Sequence, residues 1–175
     1  FVTLNPSDSI VDWVLKTVPT MGAGWCPPGM LGIGVGGTAE KAMLLAKESL
    51  MEPLDMHELL ARGPQSKADE LRIELYEKVN ALGIGAQGLG GLTTVLDVKL
   101  KLFPTHAASK PVAMIPNCAA TRHAHFVLDG GGPAVLEPPS LDQWPKVTWT
   151  AGGSSKRVDL DTLTRAEVAS WKPGE

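Results

Sequence analysis

The stretch Met30-Leu31-Gly32-Ile33-Gly34-Val35-Gly36-Gly37-Thr38 restricts the fold more than any other part of the chain. From Met30 to Val35, glycine alternates with large apolar residues. This reads as a short strand with one face almost bare of side chains. Gly36-Gly37 is a turn, and Thr38 is a natural N-cap for a helix with Ala42, Leu45, Ala46 and Ser49 on a small-residue face. The run also matches Gly-x-Gly-x-x-Gly ahead of a helix, the fingerprint of a dinucleotide site. That fingerprint requires an acidic residue about 20 positions on, at the end of a second strand. Asp55, the nearest candidate, follows a proline with no strand before it. The other reading is close packing of strand on helix, with a helix N-terminus that attracts an anion such as a carboxylate.

The remaining chain supplies the partners. Ile10, Val14 and Val18 sit at helical spacing within residues 8–18, with Ser7 or Asp8 as cap. Residues 19–29 form a proline- and glycine-rich loop that holds Cys26, and residues 54–65 read as a connector. Ser66 opens a helix striped with Leu71, Leu75, Val79 and Leu82, which ends at Gly83. A second glycine-rich loop covers residues 83–94. Residues 98–102 alternate Val, Lys, Leu, Lys, Leu, the pattern of a half-buried strand. Further strands are expected at 110–115, 122–128, 134–137 and 158–160, and Thr164-x-x-Glu167 is a capping box. Helices dominate the first half and strands the second. That order predicts an α+β fold with a mixed, largely antiparallel sheet, packed helices and long Gly/Pro-rich loops. The expected organisation is one domain over residues 1–155, then a short strand, helix and linker over 156–175.

Charge and composition exclude several classes. The net charge of −3 and the absence of a basic stripe argue against a nucleic-acid partner. No apolar run approaches the roughly 18 to 20 residues needed to span a bilayer. Two cysteines cannot build a disulfide framework. The chain begins on Phe1 and reads as a piece of something longer.

The chemistry gathers around the cysteines. Cys26 lies in Gly24-Trp25-Cys26-Pro27-Pro28-Gly29, and Cys118 in Pro116-Asn117-Cys118-Ala119-Ala120-Thr121-Arg122-His123-Ala124-His125. Both sit in irregular, proline-flanked segments where backbone amides can point at sulfur, and Cys-Pro is familiar from iron–sulfur ligation. Each is otherwise a small buried hydrophobe. His106 follows Phe103-Pro104-Thr105 at a strand end, where a titratable group suits either a site or a surface. His123 and His125 would share one face of a strand, and His57 sits in a polar connector without a role. Arg122 can hold a carboxylate bidentately or form an ordinary ion pair. Lys110 is the other cation near the cysteine segments.

The runs GAGWCPPGMLGIGVGGTAEKAMLLAKESLM, ALGIGAQGLGG, THAASKPVAMIPNCAATRHAHF and VASWKPGE resemble the iron–sulfur domain of class I fumarate hydratases. The resemblance implies a homodimeric hydro-lyase acting on a small dicarboxylate, fumarate or malate, with a cytoplasmic location. It implies a [4Fe–4S] cluster held by three cysteines, of which Cys26 and Cys118 match the second and third. It also implies that His106 contacts the dicarboxylate or transfers a proton, with Arg122 as a weaker substrate contact. The first cluster cysteine and a C-terminal domain would lie outside this sequence. The isolated chain is therefore expected neither to hold a stable cluster nor to hydrate fumarate. An L-tartrate dehydratase of the same architecture is the alternative, and a nucleotide module using Gly32 to Gly37 a more distant one. Cys26 and Cys118 are expected to face a common cavity, and His106 to open onto it.

Overall fold

The computed structural model describes residues 1–53, 55–120, 124–136 and 157–171. It divides into two units, residues 1–125 and residues 126–175.

The first unit is built on a four-stranded sheet of β1 (Val2–Leu4), β2 (Gly29–Val35), β3 (Val95–Leu102) and β4 (Lys110–Cys118), in the order β1-β4-β2-β3. β2 and β3 run parallel, whereas β4 is antiparallel to both β2 and β1. The sheet is thus mixed, as an α+β chain of this element order requires. Around it lie α1 (Ile10–Thr17), α2 (Ala39–Ser49), α3 (Met56–Arg62) and α4 (Lys67–Ala81).

β2 decides which helix goes where. Its alternation turns Leu31, Ile33 and Val35 to one face, where they join Val11, Val14, Met56, Leu59, Leu75 and Val79 in the main core. The opposite face carries Gly32 and Gly34, and α2 lies directly on it. A Cβ on Gly34 would stand 2.0 Å from the Ala42 carbonyl oxygen, and one on Gly32 would stand 2.3 Å from that of Ala46. Ala42 and Ala46 are themselves fully buried. Small residues on both partners let a helix backbone sit against a strand backbone.

Each helix start has a side-chain cap. Ser9, Thr38, Asp55 and Ser66 accept from the backbone N–H three residues on. Ser9 thus takes the place expected of Ser7 or Asp8. α3 replaces the expected connector, since Asp55 caps a single short amphipathic segment that buries Met56 and Leu59. Asp69 does not close a capping box on Ser66. Its carboxylate accepts instead from the Gln65 N–H at 3.0 Å and pairs with Arg62 at 3.1 Å. Those contacts hold its carboxyl below the usual carboxylate range, the Gln65 N–H foremost.

β3 differs from its half-buried expectation because both of its faces are covered. A bulge at the Gly29/Met30 pairing places Asp97, Lys99 and Lys101 on the α2 side. There Asp97 bridges Arg72 at 3.1 Å and Lys99 at 3.2 Å, with all three side chains nearly excluded from solvent. Lys99 also donates to the Glu52 carbonyl, and Lys101 pairs with Glu52 and Glu48. α4 closes the outer edge of β3. Arg72 Nε donates to Val98 O and Asn80 Nδ2 to Val95 O, so the strand does not present an open ladder there.

The strand expected at 122–128 is not formed over the described residues 124–128, and residues 121–123 lie outside them. Residues 134–136 and 158–160 form no strands either. Among the described residues none of these segments pairs with another strand, and short alternation without a partner does not make a strand. In the second unit, the Thr164–Glu167 capping box is complete and opens α5 (Arg165–Ala169).

Candidate metal centre

The Gly-x-Gly-x-x-Gly run serves packing. The Gly36 N–H donates to Pro111 O at 2.8 Å and the Gly37 N–H to Pro104 O at 3.1 Å. Gly32 and Gly34 belong to the strand ladders, with their α2 side filled. A phosphate cradle needs free amides on an open surface, and these amides are engaged within the chain.

The sheet register brings the two cysteine segments to one end of the sheet. Gly29, at the start of β2, pairs with Cys118, the last residue of β4. Cys26 lies three residues before Gly29, so both thiols belong to the same end of the sheet. Both are free, Cys26 exposed and Cys118 half-buried. The Cys118 sulfur accepts the Ala120 N–H at 3.4 Å.

The Cys26 turn is pinned on several sides. Its N–H donates to Ala23 O at 2.9 Å, and its φ is +57°, unusual for a residue with a side chain. Trp25 is buried, its ring 2.9 Å from where a Cβ on Gly29 would stand. The Asn117 carbonyl lies 2.4 Å from the same point, so only glycine fits there. A second loop closes on the turn from α4. Gln87, in the short 3-10 turn Ala86–Gly88, donates its N–H to Pro27 O at 2.6 Å. Gln87 has φ +55°, and among the described residues Cys26 and Gln87 are the only non-glycines in the left-handed region. Such backbone persists where the surrounding contacts over-determine it, as the Ala23, Gly29 and Pro27 contacts do here.

The other candidates fall elsewhere. His106 lies between β3 and β4, exposed, with Nδ1 accepting from the Ala108 N–H. That connection adjoins Val35, the far end of β2 from Gly29. At ~3.3 Å per residue the two ends of β2 are about 20 Å apart. The expectation that His106 opens onto the cysteine cavity is therefore corrected within one chain: the length of the sheet separates them. Lys110 sits at that far end too, its ammonium donating to the carbonyls of Pro6 and Asp8. Arg122 and His123 lie outside the described residues, while His125 is exposed. His57 is an exposed residue of α3.

The donor set fits a cluster in kind. Cysteine sulfurs are the ligands iron–sulfur centres take, and here two free cysteines share one sheet end, one receiving an N–H at its sulfur. Among the described residues no group of three His, Cys, Asp or Glu is placed to hold a metal ion. Sequence reasoning missed Gln87, Asn80 and Thr94, the last a buried residue before β3 whose N–H donates to Asn80 Oδ1. Their signal was faint: one amide side chain inside a glycine run, and an asparagine near a helix end where helix formers are preferred.

The family model for fumarate hydratase (Fumerase) matches residues 1–127. A putative L(+)-tartrate dehydratase subunit alpha of Methanocaldococcus jannaschii is 43% identical over 124 residues, 69% of this chain and 42% of that protein. The L(+)-tartrate dehydratase subunit alpha of Escherichia coli K12 is 32% identical over 128 residues, 71% of this chain and 41% of that protein. The chain thus spans about two fifths of the length of these curated relatives. With the family model covering most of the sequence and both cysteine segments, the chain belongs to the class I fumarate hydratase family of iron–sulfur hydro-lyases.

Proposed function

We propose that this chain forms part of a hydro-lyase that removes or adds water across the C2–C3 bond of a four-carbon dicarboxylate. Cys26 and Cys118 would supply two of the three thiolates of a [4Fe–4S] cluster. The observation that carries this reading is the Gly29–Cys118 register, which brings two distant cysteines to one end of the sheet. When bound, the cluster supplies a Lewis acid to the hydroxyl that leaves. The chain's own part is to hold sulfur. The Ala120 N–H donates to the Cys118 sulfur, and the Trp25 ring with the Gln87–Pro27 bond fixes the Cys26 turn. Arg122 would bind a substrate carboxylate. A catalytic role for His106 at this centre would need it to arrive from a second copy, in keeping with a homodimer of the full-length protein. The third thiolate would come from outside this sequence.

The family's name favours fumarate and malate as substrates, and the names of the curated relatives favour L-tartrate. These substrates share a carboxylate on each carbon of the reacting bond, and the dehydration substrates also carry a hydroxyl on C2.

The test is anaerobic reconstitution of the full-length protein with iron and sulfide, followed by visible and paramagnetic resonance spectra and by assays on malate and L-tartrate. Cys26→Ser and Cys118→Ser should each abolish the cubane signature and turnover. Full cluster content in either variant would remove that cysteine from the ligand set. Turnover of neither substrate by loaded protein would refute the hydro-lyase reading.

A further inference from the structure

The Cys26 turn and the start of β2 both lead back to one buried residue outside the cysteine segments. Thr94 is fully buried, directly before β3. Its backbone and side chain bond to three separate segments. Its N–H donates to Asn80 Oδ1 at 2.7 Å, near the end of α4. Its hydroxyl oxygen accepts the Gly85 N–H at 3.2 Å, at the root of the loop that carries Gln87. Its carbonyl accepts the Gly29 N–H at 3.4 Å, at the residue paired with Cys118. Asn80 Oδ1 also accepts from the Val95 N–H at 2.9 Å, which sets the node against β3.

Cys26 is thus approached from both directions along the chain. On one side, Thr94 holds Gly29 directly. On the other, it holds Gly85, and two residues later Gln87 grips Pro27. We infer that Thr94, anchored by Asn80, is a positioning residue that sets the Cys26 turn relative to Cys118 through the Gly85 and Gly29 amides. The inference rests on reading the two cysteines as ligands. A buried hydroxyl that serves only packing would be replaceable by a methyl. Here its removal leaves the buried Gly85 N–H without its acceptor, and the loop loses its anchor.

The experiment compares Thr94→Val, which keeps the branched shape, with Thr94→Ser, which keeps the hydroxyl, in the full-length protein. Amide hydrogen exchange is read on the metal-free form, and iron retained against a competing chelator on the reconstituted form. Thr94→Val should speed exchange at Gly85 and Gln87 about tenfold, as loss of one anchoring hydrogen bond does. Exchange at Leu31 and Val98 should stay unchanged. Iron retention should fall about tenfold, the low end for losing a group that orients a ligand. Thr94→Ser should stay close to wild type in both. Wild-type exchange at Gly85 and Gln87 in Thr94→Val would overturn the inference. So would fast exchange with undiminished iron retention, which would make Thr94 merely structural. If the wild-type protein takes up no cluster, the ligand reading fails by itself, and the exchange pattern alone decides whether Thr94 holds the turn. Should Thr94→Val not fold, Asn80→Ser, which withdraws the anchor from the other side, must give the same pattern.

Discussion

Replacing Gly34 by alanine puts a methyl group 2.0 Å from the Ala42 carbonyl oxygen and 2.5 Å from the Ala46 nitrogen. These are backbone atoms and cannot swing aside as a side-chain tip would. Ordinary contact begins near 3.4 Å, so α2 must withdraw by about 1.4 Å. That gap loosens Ala42, Leu45 and Ala46 against the sheet. Their burial stabilises the fold by ~4 kcal/mol, at ~0.8 per methyl or methylene. A gap of ~0.5–1 Å already forfeits a quarter to a half of contact energy, so this larger one forfeits at least ~2 kcal/mol. Overpacking adds ~1–3 kcal/mol, and the reduced freedom of the unfolded chain returns up to ~1. The expected net loss is about 3 kcal/mol, a fall in Tm of about 10 °C for a domain of this size. Thermal unfolding followed by circular dichroism measures it, with Met43→Ala on the exposed side of α2 as control, expected within about 0.5 kcal/mol. A loss below about 1 kcal/mol would refute the packing argument. So would saturable NAD or ATP binding by the wild type that Gly34→Ala abolishes without a loss of stability, since that pattern belongs to a dinucleotide site.

Asp97→Ala should destabilise the protein by about 3–5 kcal/mol, because it leaves Arg72 and Lys99 nearly buried beside a removed countercharge. Urea unfolding reads this, and Asp97→Glu should recover part of it. The carboxyl of Asp69 is held below the usual carboxylate range, so its contribution to stability is complete above the unfolded value of about 3.9 and disappears as pH falls through the folded value. Melting curves of wild type and Asp69→Asn should therefore differ at pH 7 and converge at low pH; a constant difference across the range would contradict the assignment. Gly29→Ala should lower iron retention in the full-length protein as well as stability, because the added Cβ meets Asn117 O and the Trp25 ring at the cysteine end. Iron retention equal to wild type would separate that packing from the metal centre.

What the sequence determined by itself was local. Caps at Thr38, Ser66 and Thr164, the glycine alternation of β2 and the Leu75–Val79 part of the α4 stripe depend on contacts within a few residues, and each appears where its chemistry places it, whereas Leu82 of that stripe is exposed. The cysteine segments carried the family. Tertiary structure decided the rest. Lys99 looks like a solvent-facing strand residue, yet it is buried against Asp97 and the Glu52 carbonyl, because alternation records polarity and not what lies opposite. His106 and Cys118 are close in sequence, and β4 between them is extended, which carries them to opposite ends of the sheet. The Cys26 and Cys118 segments are far apart in sequence and share one sheet end because the antiparallel pairing of β4 with β2 sets Cys118 opposite Gly29. Proximity across a sheet follows register, and register is set by the partners of the whole strand, which no short motif contains.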